Sequence, residues 1–363
     1  MSRCRRQCAP MNGRLMLPFF SLDDFARRAA GRLLENAGYG PHETAWDRID
    51  GSCFRLRRYA QSVENKPPIL IVPAPIKRAY IFDLLPNVSV VRRLVEAGFT
   101  VYLYEWPEEE DGAWDLESSV SSLRLAAEMI GAWHRDSLIL VGHSLGGTLA
   151  AITAALEPAL VSKLVLIEAP LKFGEQTGAL ELMVHSSSAV PLGSVPGSLL
   201  DLASVAAAPD EFVFGPYADA CACLQDQEAS AIHVAVIRWS LDEFAPSGRL
   251  IQDVLQLLYR EDRFARNQLY LLGRLAGCDS LTKTPVAALV DHTSRVVPFT
   301  SVLGGLRNPS IFPYEPEIGV ALQHVGPLVG RRAHKTLWPK LVDWMRGAGD
   351  EHDYPLVPSM PPQ

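Results

Sequence analysis

Three kinds of feature are missing from this 363-residue sequence, and each absence narrows what the protein can be. It has no long basic run and a formal net charge of -7, which argues against nucleic-acid binding through a basic face. It has no stretch near the roughly 18 consecutive apolar residues that indicate a transmembrane helix. Its six cysteines form no C-x-x-C pair, and no apolar signal-peptide core follows the basic N-terminal residues. We therefore predict reduced thiols, a cytoplasmic protein and no membrane span.

The composition that remains is that of a folded chain with a large core. Hydrophobic residues make up 48% of the sequence and charged residues 21%, while Gly and Pro are scattered. At this length the chain can form one large α/β domain with an inserted segment, or two domains.

The most informative motif is G-x-S-x-G at residues 142–146, with Ser144 at its centre. An apolar run of strand type, residues 137–141, precedes it, and a helix-type segment rich in Ala and Leu, residues 147–156, follows. A strand, a glycine-flanked turn and a helix are the setting of a nucleophile elbow. The first N–H groups of such a helix have no internal partner, so the N–H of Leu145 can face a developing oxyanion.

Short apolar strands alternate with helical segments along most of the chain. Strands are predicted at residues 69–72, 100–104, 137–141, 163–167, 285–290 and 310–312, and helices at 21–36, 89–97 and 337–346, the first of them capped by Ser21. This alternation predicts a mostly parallel, doubly wound sheet covered on both faces. Apolar residues at helical spacing from Leu250 to Leu275 predict that the intervening block is mainly helical.

These patterns divide the chain into five parts. We predict an N-terminal extension at 1–49, partly disordered with one helix, and a tail at 347–363 that is disordered. Between them lie the two parts of the α/β core, 50–170 and 285–346, and a helical cap inserted at 171–284.

The base that would activate Ser144 is predicted to be His324. A serine needs a base to take its proton, and the base needs a third group to fix its tautomer. In this type of fold the chain order is nucleophile, acid, histidine, and His324 lies after the last predicted strand and before the final helix. His292 is the weaker alternative base, and His143 and His334 suit structural positions better.

Two carboxylates compete for the acid. Asp291 directly follows the strand at 286–290, but the usual pattern has an aspartate four residues before the proline of a V-V-P turn, where this chain has Ser294. Asp291 is the first choice and Glu168, directly after the strand at 163–167, is the second; a site without an acid is a third alternative. The second oxyanion donor is expected at Ala74 or Ile76, because the prolines beside them have no N–H.

Four segments together resemble the polyhydroxyalkanoate synthase branch of the α/β-hydrolase superfamily. They are residues 67–73 with 80–84, the elbow at 141–147, residues 238–261 of the inserted block, and the histidine loop at 323–326. The resemblance implies an α/β-hydrolase fold, a cap and frequent self-association, so that a homodimer is a further expectation. Two departures stand out. The family's nucleophile is a cysteine where this chain has Ser144, and its aspartate lies directly before an x-I-V-P turn, where this chain has Ser294.

The first departure bears on the reaction. The family moves an acyl group from a coenzyme A thioester to an enzyme thioester and then to an alcohol, whereas Ser144 would form an oxyester, from which transfer to another alcohol gains little free energy. We therefore predict a serine acyl hydrolase, of esterase or thioesterase type, acting on an apolar or 3-hydroxyacyl ester or acyl-CoA. An acyltransferase that uses serine and a non-catalytic partner protein are the alternatives. The sequence has no phosphate loop, metal-ligand cluster or nicotinamide fingerprint, so no cofactor and no metal are expected.

Overall fold

The computed structural model describes residues 17–42, 44–59, 67–107, 114–173 and 193–347. Its strands are β1 (Asp47–Asp50), β2 (Arg55–Tyr59), β3 (Ile69–Val72), β4 (Val101–Glu105), β5 (Leu138–His143), β6 (Val161–Ile167), β7 (Leu269–Leu271), β8 (Arg274–Ala276), β9 (Val286–Asp291) and β10 (Ser310–Tyr314). Its α-helices are α1 (Leu17–Leu34), α2 (Val90–Glu96), α3 (Leu116–His134), α4 (Leu145–Leu156), α5 (Gly197–Ala207), α6 (Gly215–Ala222), α7 (Gln227–Leu241), α8 (Gly248–Asp253), α9 (Phe299–Leu303), α10 (Gly326–Val329) and α11 (Trp338–Arg346).

An eight-stranded sheet in the order β1-β2-β4-β3-β5-β6-β9-β10 organises the fold. From β4 to β10 the neighbouring strands run parallel, and β1 and β2 extend one edge as antiparallel strands. The predicted parallel, doubly wound sheet is confirmed. Strand β1 was not predicted, because its sequence Asp-Arg-Ile-Asp carries only one apolar side chain.

Alternation along the central strands explains why both faces are covered. In β3, Leu70 and Val72 join the core that α3 and α4 share, whereas Ile69 and Ile71 join the core of α2 and α11. All four side chains are fully buried. A strand that is apolar at every position cannot leave either face to water, so helices must pack on both sides.

The inserted block is less uniformly helical than predicted. Helices α5 to α8 occupy its first part, but a two-stranded hairpin, β7–β8, stands where the apolar spacing predicted helix. The loop residues Leu272 and Gly273 both have positive φ, 52° and 74°, as a two-residue hairpin turn of the I′ type requires. The prediction of a helix up to Leu275 was wrong because short apolar runs fit either period. The boundaries of the cap stay a prediction.

Helix α1 packs on the inserted helices α5 and α7. It begins at Leu17, so Ser21 lies inside the helix and the predicted N-cap at that residue was wrong. The Asp24 carboxylate instead accepts the N–H groups of Gly197 and Ser198, at 3.1 and 2.8 Å, and so caps α5. Disorder was predicted for part of the extension at 1–49 and for the tail at 347–363, and residues 1–16 and 348–363 of these lie outside the described residues. Among those that are described, no helix has the length and apolarity that a bilayer span needs.

Candidate active site

Ser144 stands at a sharp turn between β5 and α4. Its backbone has φ 53° and ψ −134°, a conformation that side chains rarely adopt, and its N–H donates to the Ile167 carbonyl at 2.9 Å. Strain of this kind persists only where the surrounding structure holds it, and it is concentrated at functional sites. The turn has the geometry of the predicted nucleophile elbow.

The glycines after Ser144 allow this turn because no Cβ fits there. A Cβ on Gly146 would come closer than 3.0 Å to the Pro73 carbonyl, and one on Gly147 closer than 3.0 Å to the Ala169 Cβ. The start of α4 therefore lies directly against the ends of β3 and β6. The G-x-S-x-G motif therefore permits close packing of the backbone and also presents the serine.

The loop after β3 lies beside the elbow, as an oxyanion donor requires. The Pro73 carbonyl, which faces Gly146, also accepts the indole N–H of Trp106 at 2.7 Å. Ala74 follows directly and is buried, whereas Ile76 is half-buried. Leu145 is the first residue of α4, where the N–H has no intrahelical acceptor. The assignment of these N–H groups to an oxyanion stays a prediction.

His324 lies in a short 3₁₀ turn, Gln323–Val325, between β10 and α10. The ring of His143, next to the nucleophile in sequence, lies 4.7 Å from the ring of His324, centre to centre, and its Nε2–H donates to the His324 carbonyl at 3.0 Å. Burial lowers the pKa of His143 to about 4, so its ring is neutral and serves as this donor. Sequence reasoning did not find the contact, since nothing local pairs residues 143 and 324.

Glu168 is the carboxylate that faces His324. Its Oε2 lies 4.0 Å from the His324 Nδ1, and both atoms are buried without a hydrogen-bond partner. The other oxygen, Oε1, accepts the N–H of Asp291 at 2.6 Å. Glu168 has φ 46°, a second strained backbone at the end of the strand beside β5. Two unpartnered buried groups that face each other are a costly arrangement, which typically marks a functional site.

Burial changes the protonation of this pair in opposite senses. It raises the pKa of Glu168 to about 8, and the nearby charge of Asp291 adds to the rise. It lowers the pKa of His324, an effect that the neighbouring His143 increases. Both shifts favour the uncharged forms, as expected for groups that have lost water. Because both groups have lost water, a charge on one of them strongly changes the pKa of the other.

Asp291, the first-choice acid, is placed differently. It ends β9 and is buried, and its Oδ1 accepts the N–H and the hydroxyl of Thr293, both at 2.7 Å. No ion pair joins it to His324 among the described residues. Its carboxylate shapes the turn after β9, while its N–H holds Glu168. The alternative base His292 is exposed and its ring packs on Phe299.

A small cavity of about 20 Å³ lies beside the loop that follows β3. Pro75 and Trp106 form its side near the elbow, and Trp114, Phe244 and Leu250 form much of the rest. Phe244 and Leu250 come from the inserted block, so the pocket lies between that block and the carboxyl ends of β3 and β4. Its wall is largely aromatic and aliphatic, which suits an apolar group.

Comparison with known proteins agrees with this geometry. Residues 69–298 match the alpha/beta hydrolase family. The chain belongs to that family. It is related to the poly(3-hydroxyalkanoate) polymerase subunit PhaC of Haloferax mediterranei, with 29% identity over 85% of this chain and 64% of that protein, and to that of Allochromatium vinosum, with 23% identity over 89% and 95%.

The relatives differ in length, and the solved structures support the fold alone. The chain spans 64% and 62% of the two haloarchaeal polymerase subunits that it matches, from Haloferax mediterranei and Haloarcula marismortui. The 2-hydroxy-6-oxo-6-phenylhexa-2,4-dienoate hydrolase of Rhodococcus sp. strain RHA1 is similar with a TM-score of 0.52 and 14% identity, over 84% of this chain and 99% of that one. The comparisons thus establish the family and the fold of this chain, and they support an enzyme of that fold.

Proposed function

We propose that this protein is a serine acyl hydrolase in which Ser144, His324 and Glu168 act together. The single observation that carries the proposal is the unpartnered pair of Glu168 Oε2 and His324 Nδ1, 4.0 Å apart and buried, beside a strained serine elbow. The order nucleophile, acid, histidine is kept, with the acid after β6 in place of β9. This revises the first choice of acid, Asp291, to the second, Glu168.

The reaction follows from these positions. With its Nδ1 turned to Glu168, His324 has Nε2 left to accept the Ser144 proton as Oγ attacks the carbonyl carbon of an ester. The oxyanion of the tetrahedral intermediate accepts the Leu145 N–H and an N–H near Ala74. Collapse breaks the bond to the leaving group, which takes the proton from His324 and departs as an alcohol or a thiol. Water then attacks the acyl-serine by the same route and releases a free acid.

Glu168 stabilises the charge that His324 acquires during this step. A buried imidazolium without a counter-ion is expensive, and an ionised carboxylate 4.0 Å away offsets that cost. Because the pKa of Glu168 is raised to about 8, its ionised fraction grows as the pH approaches that value. We therefore expect activity to rise with pH through about 8 and to level off above it.

The pocket formed with Phe244 and Leu250 is proposed to take the acyl chain. Its aromatic and aliphatic wall suits an apolar acyl chain, and its volume of about 20 Å³, far below the ~300 Å³ of typical ligand sites, requires side chains to move before such a chain can enter. Leu250→Ala should shift the preference among p-nitrophenyl esters toward longer acyl chains, measured as kcat/KM across a series. An unchanged profile would remove this pocket from the proposal.

Acyl transfer to an alcohol is the second candidate, because the polymerase relative from Allochromatium vinosum is matched over 95% of its length. The serine argues for hydrolysis, since an acyl-oxyester gains little free energy on transfer to another alcohol. The products decide between the two: 3-hydroxybutyryl-coenzyme A should yield free 3-hydroxybutyrate. Formation of polymer with no free acid would favour transfer.

The first experiment is labelling with a fluorophosphonate, which reacts readily with an activated serine alone. Wild type should be labelled, while Ser144→Ala and His324→Ala should not. Circular dichroism would show whether each variant is folded. No labelling of the folded wild type would contradict the proposal.

A further inference from the structure

Asp219 joins the inserted helices to the loop that carries His324. It lies in α6 and is buried, with 8% of its surface exposed. Its Oδ1 accepts the N–H of Gly319 at 2.7 Å, and its Oδ2 accepts the N–H of Ala321 at 2.8 Å. Both backbone groups belong to the turn that ends three residues before His324. One carboxylate therefore binds two successive points of this turn.

The turn it holds is unusual. Gly319 and Ala321 both have positive φ, 91° and 57°, and alanine adopts such a conformation rarely. A Cβ on Gly319 would lie 2.7 Å from the Ala229 Cβ, so the turn is packed closely against α7. A strained turn persists only where other contacts compensate for it, and the two hydrogen bonds to Asp219 are such contacts.

His233 completes the arrangement from α7. Its Nδ1–H donates to the Asp219 Oδ2 at 2.7 Å, and the ring is buried. Burial by itself would raise the pKa of Asp219, but the hydrogen bonds from His233, Gly319 and Ala321 outweigh it and lower that pKa. Asp219 is therefore ionised, and bonds to a charged acceptor are about twice as strong as those between neutral groups.

Cys223 lies in the same cluster, with the ligand atoms of Asp219, Cys223 and His233 all within 4.8 Å of one another. A metal ion could fit that spacing, but both carboxylate oxygens already accept hydrogen bonds from backbone N–H groups. The cluster is thus satisfied as a hydrogen-bonded anchor, and Cys223 is dispensable to it.

We infer that Asp219 is a positioning residue for His324: with His233 it fixes the turn at residues 319–321 and so positions the His324 imidazole. The inference rests on the proposed function. It makes the inserted helices part of the catalytic geometry, because the residue that holds the histidine loop comes from them and not from the sheet.

The test compares Asp219→Asn with Cys223→Ser, a matched control that changes the same cluster without touching the two backbone bonds. Asparagine has the same shape but replaces one acceptor by an NH₂ group that faces an N–H. For p-nitrophenyl butyrate, Asp219→Asn should lower kcat by about ten- to a hundredfold with KM little changed, since small displacements of a catalytic group cost this much. Cys223→Ser should keep the wild-type kcat. Hydrogen exchange of residues 319–325 should rise in Asp219→Asn alone.

Each outcome has one meaning. Equal kcat in Asp219→Asn and a labelled wild type would overturn the inference while the proposed function stands. A wild type that is not labelled by fluorophosphonate would overturn both. Suppose that both variants lose activity, that a chelator inactivates the wild type, and that added Zn²⁺ restores it. This result would replace the anchor by a metal site. If Asp219→Asn does not fold, His233→Ala removes one bond only and should lower kcat about two- to fivefold; an unchanged kcat there would overturn the inference.

Discussion

The two halves of the candidate site are built in opposite ways. The nucleophile half, from β5 through Ser144 to α4, is a continuous run whose strained turn is set by neighbouring glycines. The other half joins Glu168 to His324 from a distant part of the chain, and His143, at the end of β5, connects the two halves by its hydrogen bond to the His324 carbonyl. A local motif can be found in a sequence, whereas a contact between residues more than 150 positions apart is made only when the sheet assembles. The predictions below act on one half at a time.

The largest effect is expected from Gly146→Ala, which disrupts the nucleophile half. The new Cβ would come closer than 3.0 Å to the Pro73 carbonyl, so either β3 or the start of α4 must shift. We expect fluorophosphonate labelling of Ser144 to be lost and the free energy of unfolding to fall by about 1–3 kcal/mol, as in overpacked sites. Gly40→Ala is the control, because a Cβ there meets no atom within 4 Å. Labelling of Gly146→Ala at the wild-type rate would contradict the role of the close approach.

Glu168→Gln and Asp291→Asn distinguish the two candidate acids in the half that contains His324. Glutamine cannot stabilise an imidazolium at His324, so the labelling rate of Glu168→Gln should fall by about 10²- to 10⁴-fold. Asp291→Asn should fall by less than about tenfold, because its carboxylate accepts from Thr293 and its backbone N–H to Glu168 is kept. Labelling rates measured at pH 8 decide. A larger loss in Asp291→Asn would restore Asp291 as the acid.

Stability against pH gives an independent view of Glu168. A carboxyl group whose pKa is raised from 4.5 to about 8 contributes stability that is fully present below about pH 4.5 and is lost as the pH rises through about 8. The histidines with lowered pKa values act in the opposite sense below about pH 6.5, so the window from 6.5 to 8 isolates Glu168. There the wild type should lose about 1 kcal/mol per pH unit relative to Glu168→Gln, measured by urea unfolding. Parallel curves for the two proteins would contradict a raised pKa.

The smallest effect is expected at Trp106, which lines the pocket and contacts the loop beside the elbow. Trp106→Phe removes the indole N–H that binds the Pro73 carbonyl beside the elbow. We expect the labelling rate to fall about three- to tenfold and the free energy of unfolding to fall by about 1 kcal/mol. Trp344→Phe is the matched control. Trp344 lies in the C-terminal helix α11, and the change removes its indole hydrogen bond to the Ser310 hydroxyl of β10. Equal labelling rates in both variants would show that Trp106 does not position the oxyanion loop.

Much of the fold could be predicted because β3 is apolar at every position and β5 is apolar over its first four residues. The hairpin at Leu269–Ala276 and strand β1 could not, since a short apolar run fits a helix or a strand and β1 offers almost no apolar pattern. The choice between Asp291 and Glu168 was open for a similar reason. Both directly follow strands, and sequence position alone does not tell which carboxylate turns toward His324.

The amino-acid sequence by itself determined the doubly wound sheet and the elbow at Ser144, because periodic burial and glycine-dependent turns are properties of neighbouring residues. Only the tertiary structure decided which groups surround that serine. Glu168 faces His324, His143 holds the His324 carbonyl, and Asp219 holds the preceding turn, because parallel strands and inserted helices bring distant segments to one edge of the sheet.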